Sequence, residues 1–190
     1  MIHRSSEAPL HEPIVIVPYN AEWPERFARL GTAVRDALGD VALRIDHIGS
    51  TAVPGLAAKP VIDIQISVAS LEPLDAYRIP LERLGYRFRP DNPDLTKRYF
   101  REPAGEQRTH VHVKEAGSWS EQLALLFRDY LRAHPEDAKQ YAETKARLAM
   151  MYGSDRKGYT EAKGPVIWEI VASAHVWSQE IGWRPETTSA

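Results

Sequence analysis

Three polar residues that can do chemistry stand inside otherwise apolar segments of this sequence. Asp63 lies between two isoleucines, and the segment RTHVHVK places His110 and His112 two residues apart. A carboxylate and imidazoles can bind a divalent metal or move a proton, whereas an unpaired buried carboxylate is costly. The sequence therefore indicates either a metal site at Asp63 or a structural ion pair of that carboxylate. The cationic partners available for such a pair are Lys59, Arg98 and Lys114.

A turn of small residues precedes Asp63 along the chain and consists of Gly49, Ser50 and Thr51. Glycine lets the backbone approach a phosphate closely, and successive N–H groups can hold an anion. Taken alone, such a short motif is more often an ordinary tight turn. The spacing returns Asp63 beside the turn, however, and this favours a combined site for phosphate and metal.

Two predicted strands must position these side chains, because polar and apolar residues alternate along both of them. In the first strand, Asp63 and Gln65 share one face and the isoleucines occupy the other. In the second, His110, His112 and Lys114 share a face opposite to the valines. If the two strands are direct neighbours, roughly 5 Å apart, Asp63 and the two histidines belong to one site.

The C-terminal part of the chain is predicted to be wholly helical. Its charged and phenolic residues lie off the apolar stripes, and we interpret them as a solvated face whose ion pairs contribute little. These residues are Arg128, Asp129, Arg132, Lys145, Tyr159 and Lys163. Its large aromatic residues fit the stripes and are interpreted as core. They are Trp119, Phe127, Trp168 and Trp177.

The order of the predicted elements indicates a mixed α/β (α+β) protein, in which helices flank a β-sheet and a helical part follows. We predict a flexible leader at residues 1–12, a single domain at 13–183 and a tail at 184–190. The domain is expected to be rich in sheet over 13–116 and helical over 117–183.

Composition excludes several classes of function. With 190 residues the chain has the size of one domain, and without cysteine it cannot use disulfides, thiolate catalysis or cysteine–metal sites. The net charge of −2 argues against a nucleic-acid binder. No apolar run approaches the roughly 20 residues of a membrane span, and the first residues lack a signal-peptide core. We therefore expect a cytoplasmic protein with neither nucleic acid nor membrane as its partner.

Five longer segments carry a resemblance to a known family. They are HIGSTAVPGLAAKPVIDI, KRYF, RTHVHV, FRDYLRAHPEDAKQYAETKARLA and YTEAKGPVI. In this order they closely resemble the GrpB family, also called UPF0157, from about Ile14 to the last predicted helix. That family is placed in the nucleotidyltransferase superfamily. The resemblance thus implies a nucleotidyltransferase-like mixed sheet flanked by helices.

The resemblance also implies roles for matching positions. Gly49, Ser50 and Thr51 would hold the phosphates of a nucleotide, and Asp63 would be the first carboxylate ligand of Mg²⁺ or Mn²⁺. The superfamily has a second acid two residues further on, where this chain has Gln65. A glutamine can coordinate through its carbonyl oxygen but brings no charge.

A third acid, which the superfamily carries on a later strand, is replaced here by His110 and His112. His112 would join Asp63 and Gln65 as a metal ligand. Either histidine could serve as the base on the acceptor side of the reaction.

We therefore predict metal-dependent transfer of a nucleotidyl group from a nucleotide triphosphate to a small-molecule acceptor. Lys59 and Arg98 would neutralise phosphate charge during an in-line displacement at phosphorus.

Two alternatives stay open at this point. The uncharged Gln65 suggests a non-catalytic module of the same fold that binds a nucleotide or another ligand, or supports an assembly. The set of Asp63, His110 and His112 suggests a metal-dependent hydrolase that uses zinc or manganese.

Overall fold

The computed structural model describes residues 13–188 and residue 190, and within them the elements follow the predicted order. The helices and strands are α1 (Glu22–Leu38), β1 (Arg44–Ile48), β2 (Ile62–Val68), α2 (Asp75–Arg83), β3 (Arg87–Phe88), β4 (Lys97–Arg101), β5 (Thr109–Glu115), α3 (Trp119–Ala133), α4 (Pro135–Tyr152) and α5 (Arg156–Ile181). A short 3₁₀ turn at Ser50–Ala52 follows β1. The leader predicted at 1–12 lies outside the described residues. Within the described ranges, no helix combines the length and the apolar character needed to cross a membrane.

The strands form one mixed sheet in the order β1-β2-β5-β4-β3. β2 and β5 pair in parallel, and the other neighbouring strands pair antiparallel. Parallel neighbours need a long crossover, which α2, β3 and β4 provide between β2 and β5. This architecture confirms the predicted fold class of a mixed sheet flanked by helices, with a helical C-terminal part.

One face of the sheet is apolar and packs against α1 and α2. On it, Ile62, Ile64 and Ile66 of β2 have no exposed surface, and they cluster with Phe27 of α1 and Leu81 of α2. Each such side chain contributes roughly 1.5–3 kcal/mol to stability by its burial. This face holds the sheet in place and leaves the opposite face for polar residues.

The opposite face carries the polar residues of the same strands, and α3 covers one end of it. Glu121 of α3 accepts a hydrogen bond from the Ser67 hydroxyl, and its backbone carbonyl lies 3.4 Å from Nε2 of Gln65. Asp63 lies towards the other end of β2, where a quarter of its side chain is exposed. A cleft is therefore left beside Asp63.

Arg128 docks α3 onto this polar face. Its side chain is 2% exposed, lies 3.6 Å from the buried Asp46, contacts Asp129 at 2.7 Å and donates to the carbonyl of His47 at 3.1 Å. Arg132 donates to the backbone of the 3₁₀ turn at 2.9 Å. The interpretation of Arg128 and Asp129 as a solvated face is wrong, because β1 offers Arg128 buried acceptors and Arg128 in turn pairs with Asp129.

Two of the tryptophans interpreted as core are instead largely exposed. Trp119 is 67% exposed and Trp168 is 60% exposed, whereas Phe127 and Trp177 do pack against a buried cluster. Trp119 stands in the first turn of α3, where it lines an open cavity rather than a packed interface.

The segment predicted as a tail makes contact with the sheet. The Thr188 hydroxyl accepts a hydrogen bond from the Ile45 N–H at 3.0 Å and lies 2.8 Å from the carbonyl of the same residue. Part of this segment therefore lies against β1.

Candidate active site

The carboxylate and the two histidines predicted from the sequence meet on neighbouring strands. Asp63 pairs in register with His110, and the parallel alignment also brings His112 alongside. Nδ1 of His110 and Nε2 of His112 lie 3.0 and 3.2 Å from the same oxygen, Oδ1 of Asp63. The three ligand atoms lie within 4.8 Å of one another, a grouping that can hold a metal ion. Asp63 therefore has histidine partners, and the alternative of an ion pair with Lys59, Arg98 or Lys114 is not what forms.

The protonation of this trio suits a metal ligand set. Burial raises the pKa of the Asp63 carboxyl, but hydrogen bonds from His110 and His112 outweigh it and hold that pKa well below its ordinary value. Burial also lowers the pKa of His112, against the opposing effect of Asp63. At neutral pH the site thus offers a carboxylate and a neutral imidazole, which are the forms that bind metals.

The Gly49–Ser50 turn closes against Asp63. Gly49 has a φ of 72°, and a Cβ atom on it would lie 2.6 Å from Oδ2 of Asp63. Only glycine fits this position without displacing the carboxylate. The Thr51 hydroxyl is engaged inside the protein, since it donates to the Val61 carbonyl at 2.9 Å. It is therefore not directed at a phosphate.

Three lysines gather around this turn, and we call Lys59, Lys145 and Lys163 the lysine cluster. Lys145 is 3% exposed and donates to the Ser50 hydroxyl at 3.0 Å and to the Ala57 carbonyl at 2.7 Å. Lys59 and Lys163 lie over the ring of Tyr159, at 4.8 and 5.6 Å from its centroid. In the described part of the chain these lysines have hydroxyl, carbonyl and aromatic partners but no carboxylate within 4 Å.

The crowding of these amines shows in their pKa values. Burial first, and then the neighbouring Lys163 and Lys59, lower the pKa of Lys145 to about 7. Burial together with Lys163 and two nearby arginines lowers the pKa of Lys59 to about 8. A polyanion would relieve this repulsion, so the lysine cluster has the electrostatics of a phosphate site.

Of the other predicted site residues, Lys59 and Gln65 lie near Asp63 and Arg98 does not. Lys59 belongs to the lysine cluster, but Arg98 lies on the opposite face of β4 and pairs with Glu72 at 3.0 Å. Because successive residues of a strand face opposite sides, Arg98 is not brought to the site. Gln65 is fully buried on the same face as Asp63, and its Oε1 has no hydrogen-bond partner within the described residues.

The sequence interpretation missed the helical half of the site. Lys145 and Tyr159 are 3% and 1% exposed, so their assignment to a solvated surface is wrong. One signal was present: Tyr141 and Lys145, and likewise Tyr159 and Lys163, are spaced four residues apart. Such pairs share one helix face, and each tyrosine ring lies beneath its lysine.

These features define a class of protein: a mixed α/β fold whose sheet carries an aspartate–histidine trio next to a glycine turn and a lysine cluster. The sequence model of the GrpB protein family matches residues 13–173. The chain therefore belongs to the GrpB family.

Relatives of known sequence or structure agree with this assignment. A UPF0157 protein of Pseudomonas aeruginosa is 44% identical over 165 residues, which are 85% of this chain and 67% of that protein. A dephospho-CoA kinase of Mycolicibacterium paratuberculosis is 34% identical over 198 residues, and the match covers 91% of this chain but 49% of the kinase. This chain thus spans about half the length of that enzyme. The crystal structure of the conserved protein GrpB from Enterococcus faecalis is 33% identical, with a TM-score of 0.76 over 84% of this chain and 96% of that chain.

Proposed function

We propose that this protein transfers a nucleotidyl group from a nucleotide triphosphate to a small acceptor, with a divalent metal at Asp63, as a member of the nucleotidyltransferase superfamily. One observation carries the proposal. Lys145 of the lysine cluster donates to Ser50, its charge is coupled to those of Lys59 and Lys163, and the Gly49–Ser50 turn packs directly against Asp63. A site for phosphate charge and a site for a metal therefore adjoin. The name of the kinase relative also denotes an enzyme that handles phosphate.

The chain's own residues would bind and orient the triphosphate. Lys145 already donates to Ser50, and its ammonium keeps a further N–H for a phosphate oxygen. The buried Tyr159 hydroxyl has no hydrogen-bond partner among the described residues and offers another donor beside the lysine cluster. Charge-assisted hydrogen bonds of this kind are about twice as strong as neutral ones. They would fix the reacting phosphorus close to Asp63.

The donor set fits a divalent cation. Asp63 and His112 would hold it, with Oε1 of Gln65 as an uncharged third ligand, and a mixed carboxylate and imidazole set suits Mn²⁺ better than Mg²⁺. When bound, the cation would neutralise phosphate charge and polarise the phosphorus–oxygen bonds.

His110 has the arrangement of a base for the acceptor. Its Nδ1–H donates to Asp63, so the other ring nitrogen, Nε2, is the one that can accept a proton. That atom is buried and has no hydrogen-bond partner within the described residues. His110 would take the proton of the attacking hydroxyl group while pyrophosphate leaves towards the lysine cluster.

The proposal is tested by calorimetric titration of a non-hydrolysable nucleotide triphosphate with and without Mn²⁺. We expect Lys145→Met to weaken binding about tenfold or more, and Asp63→Asn to remove the dependence on Mn²⁺. Lys157→Met is the matched control, because Lys157 is an 88% exposed lysine at the start of α5. The proposal would be overturned if neither Lys145→Met nor Asp63→Asn changed the nucleotide affinity or its dependence on Mn²⁺. Binding without release of pyrophosphate for any acceptor would leave the non-catalytic module as the function.

The second candidate is a metal-dependent hydrolase, favoured by the close approach of all three ligand atoms of Asp63, His110 and His112. In that case His110 is a ligand rather than a base. Metal analysis after purification separates the two, since His110→Gln would lower the bound zinc or manganese in a hydrolase. In a nucleotidyltransferase the same variant would slow turnover and leave metal affinity largely unchanged.

A further inference from the structure

A cavity of about 580 Å³ opens beside Asp63 on the polar face of the sheet. It is bounded by the sheet, the first three turns of α3, the segment before β4, and α5. Small-molecule sites typically have volumes of about 300–1,000 Å³. Gly49 and Asp63 line the cavity, whereas no member of the lysine cluster does. The candidate site therefore has a second compartment, which shares only Gly49 and Asp63 with the compartment beside the lysine cluster.

The wall formed by α3 and α5 is apolar. It consists of Trp119, Leu123, Phe127, Ile167 and Val171. Trp119 is 67% exposed although it is part of this wall, so its indole is available to a ligand. Flat aromatic surfaces and branched aliphatic side chains favour a planar apolar group. A sugar or a free phosphate would gain little from such a wall.

The wall formed by the sheet and the segment before β4 carries a buried cation. Lys114 is 7% exposed, and its Nζ donates to the Ser120 carbonyl at 2.6 Å. Within the described residues it has no carboxylate within 4 Å, whereas its neighbour Lys97 pairs with Asp94 at 3.1 Å. A buried ammonium with spare N–H groups calls for an anion.

We propose that this cavity binds the acceptor, and that the acceptor is a small molecule with a planar apolar body and an anionic group. The apolar body would lie against Trp119 and Phe127, and the anionic group would pair with Lys114. The nucleophile of the acceptor would then face Asp63. This inference rests on the proposed function only in calling the occupant an acceptor, because the chemistry of the cavity itself stands on its own contacts.

A matched pair of dyes tests the chemistry of the cavity. Anilinonaphthalene sulfonate carries a planar apolar body and an anion, and the neutral phenylnaphthylamine carries the body alone. We expect saturable binding of both to the native protein. Lys114→Met should weaken the sulfonate about tenfold and leave the neutral dye unchanged, which also shows that the variant is folded. Trp119→Ala should weaken both dyes. Equal affinity of the sulfonate for the wild type and Lys114→Met would overturn the inference.

A second titration separates this inference from the proposed function. An acceptor and a nucleotide must bind together, so a saturating non-hydrolysable triphosphate should leave sulfonate binding in place. Lys145→Met should lose the triphosphate but retain the dye. Competition between dye and triphosphate would show that the cavity holds the nucleoside and would overturn the acceptor assignment alone. The protein could show the expected dye affinities and yet have no affinity for a triphosphate. That result would overturn the proposed function, and the ligand of the cavity could then no longer be called an acceptor.

Discussion

The candidate site has a strand half and a helix half, and they are held in place by different forces. The strand half, Asp63 with His110 and His112, sits on neighbouring strands whose backbone hydrogen bonds fix the register. The helix half, Lys145 with Lys163, sits on α4 and α5 and reaches the turn through side-chain contacts such as that between Lys145 and Ser50. A ladder of backbone bonds tolerates the loss of one contact, whereas a docked helix depends on a few.

Charge is distributed unequally between the two halves. The strand half carries the negative carboxylate of Asp63 and the neutral imidazole of His112, and the helix half carries ammonium groups that repel one another. Metal and phosphate would compensate each half separately. Without ligands, the electrostatic cost therefore falls mainly on the helices.

The largest effect is expected from removing the contact that docks α3. Arg128→Met leaves the fully buried Asp46 with one cation less and leaves the His47 carbonyl without this donor. Breaking a buried ion pair typically costs about 3–5 kcal/mol of unfolding free energy. Urea unfolding measures the loss, and Lys157→Met is the exposed control. A loss below about 1 kcal/mol, the range of surface pairs, would show that helix docking does not depend on this contact.

The second prediction concerns pH and tests the lysine cluster. Lys145 and Lys59 have pKa values of about 7 and 8 in the folded protein, against 10.5 for an ordinary lysine. Between these values the unfolded chain binds more protons, so the free energy of unfolding rises as the pH rises. We expect the melting temperature to increase by on the order of 10 °C between about pH 6.5 and pH 9.

The control for this pH effect is the double variant Lys59→Met, Lys145→Met, which should remove most of the increase. Inorganic triphosphate should flatten it as well, because a bound polyanion keeps both amines charged. A melting temperature that falls steadily over this pH range in the wild type would contradict the division of charge between the halves. Above about pH 10, tyrosines whose pKa burial raises, such as Tyr159, reverse the trend.

The strand half of the site could be predicted from the sequence, and the helix half could not. Alternation along β2 and β5 was enough to place Asp63, His110 and His112 on matching faces, because a strand has a period of two. The sequence did not reveal that β2 and β5 are neighbours, and the structure shows that they pair. The helix half was not predicted, because a lysine that lies off an apolar stripe has the sequence pattern of a solvent-exposed residue. Whether Lys145 is exposed depends on which surface covers it, and that surface is the turn after β1, almost a hundred residues away in sequence.

The smallest effect is expected in the strand half, where two glycines form a matched pair. Gly49 and Gly55 have φ values of 72° and 77°, so an alanine at either position is strained by about 1–3 kcal/mol. A Cβ at Gly55 meets nothing within 4 Å, whereas at Gly49 it meets Asp63 at 2.6 Å. The difference in unfolding free energy between Gly49→Ala and Gly55→Ala, on the order of 1 kcal/mol, measures how tightly the turn holds the carboxylate. Gly49→Ala should also weaken Mn²⁺ binding, and Gly55→Ala should not. Equal effects of the two variants on both quantities would mean that the turn and Asp63 are not coupled, and that the strand half is no more rigid than the helices docked above it.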